Sequence, residues 1–143
     1  MCKRNDYKKE WLARYGECKK REKELALAME ELETRYTLPS KSIDGMPHGS
    51  GADKDLSEFA AKYDAIYQDI KTQVQHSLDV YREINEAIED SGASESEKCV
   101  LRYRYIHGYT WERIAVTMEL SYVWVCKLHG RALEKIKIPE RSL

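Results

Sequence analysis

The chain predicts an all-α fold, a long helical hairpin of coiled-coil character followed by three short C-terminal helices. Three observations predict it. Two long stretches, residues 3–36 and 55–89, set apolar side chains at alternating steps of three and four among charged ones. The three prolines and most of the seven glycines fall in breaks, so these stretches can run as uninterrupted helix. The segment from about Glu97 to Ile138 divides into three short amphipathic runs, separated by His107-Gly108 and by Glu119-Leu120-Ser121.

In the first stretch Tyr7, Trp11, Tyr15, Cys18, Leu25, Met29, Leu32 and Tyr36 form a heptad seam, with Glu22 its one charged interruption. Pro39 disfavours helix in the residue before it, which predicts an end at Thr37-Leu38. Residues 37–54 read as a loop. The second stretch carries Leu56, Phe59, Tyr63, Ile66 and Ile70, and then shifts through Val74, Leu78, Tyr81, Ile84 and Ile88. Accumulated steps of four there amount to a stutter that relaxes the supercoil. Two long helices joined by a loop fold back as an antiparallel hairpin or pair between chains, and the pattern is compatible with both. In either case the seam needs cover, because an exposed apolar stripe of that length associates. The linker DSGASES offers Ser94 or Ser96 as the next helix cap.

The third region has the punctuation of a helix-turn-helix. Val100, Leu101, Tyr103, Tyr105 and Ile106 can cover one side of its first run. Thr110 is an N-cap with Arg113 three residues on, so the capping box there is incomplete. Trp111, Ile114, Ala115 and Met118 follow at helical spacing. Ser121 caps the last run, whose inward stripe is Val125, Leu128, Ala132, Leu133 and Ile136. That leaves Tyr122, Val123, Trp124, Cys126 and Lys127 facing outward, the geometry that reaches a major groove. Gly130 sits mid-helix at a cost of about 1 kcal/mol against alanine, which predicts a close backbone approach there.

Charge follows the same division. Lys and Arg number 10 against 8 acids in residues 1–38, 5 against 12 in 39–96, and 9 against 5 in 97–143. The overall charge of −1 therefore hides a C-terminal excess of +4 where phosphate contact would need it. That excess is modest, and useful affinity calls for a second copy or a partner. Asp64, Asp69, Asp79, Glu83, Glu86, Glu89 and Asp90 make the second long helix acidic, which keeps it away from a duplex.

Other function classes find little support. Cys2, Cys18, Cys99 and Cys126 lack metal-site spacing to one another or to His48, His76, His107 and His129, so reduced thiols and no metal are expected. The GMPHGSG segment, Gly45 to Gly51, lacks the lysine and strand context of a nucleotide loop and reads as a turn. His48 has no nucleophile or acid beside it. No catalytic constellation and no cofactor are expected. No apolar run approaches the roughly 20 residues of a membrane span, and MCKRNDYKKEW is no signal peptide, which predicts a cytoplasmic protein.

The segment GYTWERIAVTMELSYVWVCKLHGRALEKI resembles region 4 of sigma-70-type factors. Gly108, Thr110, Ile114, Ala115, Met118, Leu120, Ser121, Arg131, Ala132, Leu133 and Ile136 fill the matching places, while Arg113 stands where that pattern has Glu. Over most of its length the chain is also similar to small proteins encoded in phages and prophages of Gram-positive bacteria. Those carry a charged first helix, a GMPHGSG-like loop, and an ending matched here by Trp111, Ile114, Ala115, Ser121, Leu128, His129, Gly130, Ala132 and Leu133. The resemblance implies an ArpU/RinA-like transcriptional regulator of late genes.

These readings combine into residues 1–92 as a hairpin for oligomerisation or docking, and residues 93–143 as a DNA-binding domain. The expected partners are double-stranded DNA, a second copy of the chain through the hairpin, and RNA polymerase. The expected DNA contacts are Tyr122, Val123, Trp124, Cys126, Lys127 and Arg131, with Arg102, Arg104 and Arg113 gripping phosphates at the flank. Two rivals remain: a small-terminase-like DNA-packaging protein, and an RNA polymerase adaptor that touches no DNA.

Overall fold

The computed structural model describes residues 2–37 and 51–139, which contain helices and no strands. Helices α1 (Cys2–Thr37) and α2 (Gly51–Glu89) make the long hairpin. They are followed by α3 (Glu95–Leu101), a π-helical turn over Arg102–Ile106, α4 (Trp111–Met118) and α5 (Tyr122–Lys135). Helix α1 is described to Thr37, and Leu38 and Pro39, on which its expected end rests, lie outside the described residues. Helix α2 starts at Gly51, earlier than the glycine-rich composition predicts. His48 and the rest of the GMPHGSG segment before Gly51 lie outside the described residues.

Packing divides the chain into two compact units, residues 1–19 with 77–143 and residues 20–76. The reason is a shared core. Trp11, Leu12 and Cys18 from α1, and Val80, Ile84 and Ile88 from α2, join Leu101, Ala132, Leu133 and Ile136 in one buried cluster. Both chain ends of the hairpin are therefore built into the C-terminal helices. Tyr15 packs on Tyr81 with ring centroids 5.7 Å apart, and Arg14 pairs with Glu83 at 2.8 Å, so α1 and α2 run antiparallel in this unit.

The seam read from α2 needs correction here. Its inner positions are Ser77, Val80, Ile84 and Ile88, while Val74, Leu78 and Tyr81 stay exposed. Leu12 is also fully buried although it lies outside the α1 seam. The end of α1 is covered on more than one side, so adjacent Trp11 and Leu12 both go inside.

The unit of residues 20–76 is plainer. Leu25 and Leu32 are its buried apolar residues among those described. Tyr36, Phe59 and Tyr63 form a ring ladder with centroids 4.8 and 5.8 Å apart. Leu27, Leu56, Tyr63, Tyr67 and Val74 remain exposed.

Candidate nucleic-acid interface

The helix-turn-helix is assembled from its caps outward. Ser94 begins α3 with a full capping box: its hydroxyl accepts from the Glu97 N–H at 3.3 Å, and the Glu97 carboxylate accepts from the Ser94 N–H at 3.2 Å. Buried Glu97 also receives the Lys135 ammonium at 2.9 and 3.1 Å, which ties the start of α3 to the end of α5. That lysine is the main cause holding the Glu97 carboxyl below its ordinary range, against the opposing effect of burial. The sequence S-E-S-E carries this box, and the choice between Ser94 and Ser96 turns on it.

After α3 the backbone widens to a π-turn, closed by the His107 N–H donating to the Arg102 carbonyl at 3.0 Å. Gly108 at φ +70° then reverses the chain, a conformation that an L side chain resists. Thr110 caps α4 by accepting from the Arg113 N–H at 3.2 Å. Helix α4 ends at Glu119 in the left-handed region, φ 56° and ψ 41°, and Ser121 caps α5 by accepting from the Trp124 N–H at 3.1 Å. The core between these helices is Val100, Ile114, Ala115, Val125 and Leu128, the stripe expected from the sequence.

The expected site residues separate into two groups. Tyr122, Val123, Trp124, Cys126, Lys127 and Arg131 all lie exposed along α5. Arg131 stacks its guanidinium over the Trp124 ring at 5.0 Å. Cys126, one turn from Tyr122, is the largest influence raising the Tyr122 phenol above its ordinary value. Exposed Arg113 lies over Tyr109 at 3.8 Å, at the near end of α4.

Arg102 and Arg104 have internal partners instead. Arg102 pairs with Glu89. Arg104 donates to the Tyr109 carbonyl at 3.0 Å and covers Trp111 at 4.5 Å. Both are half-buried and brace the π-turn against its neighbours. Basic residue type gave no sign of this, because carboxylate and ring partners arrive only with the fold.

His129 is a buried residue that the stripe did not include. Its Nε2 lies 2.7 Å from the Tyr105 hydroxyl, and Trp111 meets its ring edge-on at 4.6 Å. Burial, with Lys9 and Arg104 nearby, pushes its pKa down to about 4, so the ring is neutral at pH 7. Burial likewise pushes the Tyr105 phenol up to about 12. The spacing to Val125, Ala132 and Leu133 marks position 129 as inward, and only its polarity hides that. The close approach expected at Gly130 is absent: apart from its chain neighbours and its own helix backbone, no atom lies within 4 Å of where a Cβ would stand.

The arrangement presents one capped helix, rigid on its inner face and solvent-facing on the other, with lysine and arginine along it. A helix held this way can enter a groove without reorganising. No curated protein and no solved structure gives a significant match to the chain. Residues 94–137 do match the family model for sigma-70, region 4, and this segment is a DNA-binding helix-turn-helix of that type.

Proposed function

We propose that the protein is a transcriptional regulator of phage or prophage genes that inserts α5, from Ser121, into the major groove. The observation that supports it most is the outward face of α5, exposed from Tyr122 to Arg131 while its inner face is locked into the core. Lys127 and Arg131 contact phosphates, with Arg113 at the near edge of the groove. Arg102 and Arg104 act indirectly, by holding the turn that sets the angle between α4 and the helices around it. RNA polymerase is the natural second partner of a sigma-like module, and residues 1–92 supply the contacts for assembly.

Association with a second copy belongs to the same reading. One module with a charge excess of +4 gives modest affinity, and two copies on adjacent half-sites multiply it. Exposed Leu27, Leu56, Tyr63, Tyr67 and Val74 in residues 20–76 are the surface assigned to that contact.

The test is selection of genomic fragments by the purified protein at moderate salt. Enrichment of one or two sites upstream of an operon is expected. Sites at packaging genes, together with a ring of many subunits in sedimentation, would replace this reading with the packaging one. No enrichment would remove DNA binding from the account.

A further inference from the structure

The bases that α5 can read are constrained by what its exposed face lacks. Guanine is recognised by Arg or Lys, adenine by Asn or Gln, and cytosine by Asp or Glu. Between Tyr122 and Cys126 the chain has none of these. Lys127 follows, and Arg131 already lies over the Trp124 ring. What the first turn of α5 displays is apolar surface: Val123 is 62% exposed, Tyr122 49% and Trp124 39%. Val123 and Lys127 share the middle of the outward face, since they lie one turn apart and opposite the buried Val125, Leu128 and Ala132.

In a major groove only one base edge carries an apolar group, the C5 methyl of thymine. An apolar tip pressed against any other base edge would strip water from donors and acceptors without replacing their hydrogen bonds, which is unfavourable. Against thymine it buries methyl on methyl. Lys127, one turn on from Val123, and Arg113 on α4 have the charge to hold the helix in place on the phosphates.

We propose that Val123, with Trp124 beside it, is the specificity-determining surface of this module and selects thymine by its 5-methyl group. This rests on the DNA-binding reading and adds the chemistry of the base. The contact is hydrophobic and independent of any base hydrogen bond. A 5-methylcytosine at the same position therefore satisfies it in part.

The experiment uses the full chain and duplexes selected from a randomised pool. Thymines in the selected duplex are replaced one at a time by deoxyuridine, which keeps every hydrogen-bonding group and removes only the methyl. At one or two positions the affinity should fall about fourfold per methyl, the factor for losing one buried carbon. A Val123→Ser variant, at an exposed site that the fold does not need, should bind the thymine and deoxyuridine duplexes equally. Tight binding with no deoxyuridine effect at any position overturns the thymine assignment and leaves DNA binding standing. Failure to select any duplex overturns both, and assigns the patch to a protein partner.

Discussion

The two compact units handle apolar surface in opposite ways. In residues 1–19 with 77–143, Leu12, Ile84, Ile88, Leu101, Ile114, Leu133 and Ile136 are buried completely or nearly so. In residues 20–76, Leu25 and Leu32 go inside, while Leu56 is 65% exposed and Tyr67 50%. Both units contain stretches of the same two long helices with the same kind of seam. The difference is what lies against them. The first unit has α3, α4 and α5 to complete its core, and the second has two helices, which cannot enclose a seam from every side. The first unit completes its core internally, and the second leaves apolar side chains in water.

The largest expected effect tests the shared core. Ile84→Ala, on α2, should cost about 3–4 kcal/mol. Because Ile84 packs in one cluster with Leu101 and Leu133, the helix-turn-helix should unfold in the same transition. Chemical denaturation of a Trp11→Phe background, in which fluorescence comes from Trp111 and Trp124 alone, would read this. A helix-turn-helix transition that stays put while the rest of the helicity is lost would break the comparison.

Next in size is the pH dependence set by His129. Above about pH 6.5 the ring is neutral in both the folded and unfolded chain, and its full contribution is present. As pH falls toward 4, the unfolded chain takes up a proton that the buried ring refuses, so stability decreases by about 3 kcal/mol and then levels off. Below about pH 4.5 the Glu97 carboxylate, held low by Lys135, adds a second loss in the same direction. Urea titrations between pH 7 and 4 measure the slope, and His129→Gln should flatten its upper part.

The complementary change lies in the other unit. Leu56→Gln combined with Tyr67→Gln should leave monomer stability within about 0.5 kcal/mol, because both side chains already face water. The same pair should weaken self-association by more than about tenfold, as sedimentation would show. Unchanged association would move the contact elsewhere.

Gly130→Ala is the smallest effect and has the opposite sign. With open space around the Cβ position, alanine should raise stability by about 1 kcal/mol through helix propensity. Thermal unfolding of the variant checks it.

Much of the candidate site was legible before the fold. Thr110 and Ser121 announce their helices because a hydroxyl ahead of an apolar period has one economical use, and the inward stripe of α5 follows from that start. What stayed hidden depends on more than one helix. Leu12 is buried because α1 has partners on two sides, and a single-helix period can describe one stripe only. The internal partners of Arg102 and Arg104, namely Glu89, Trp111 and the Tyr109 carbonyl, come beside them only in the fold. His129 looks like a surface residue until Tyr105 supplies its hydrogen bond. Helix α2 is already formed at Gly51, where composition reads as loop, because glycine is tolerated at a helix start.

The central claim is that the outward face of α5 binds DNA, and affinity across a salt series tests it most directly. The full chain and a Lys127→Ala, Arg131→Ala variant would be titrated onto the same selected duplex, with circular dichroism to verify equal helicity. The account predicts steep weakening with salt for the parent chain, and for the variant an affinity more than about tenfold lower with a shallower salt slope. Equal affinity and equal slope for the two proteins would contradict it.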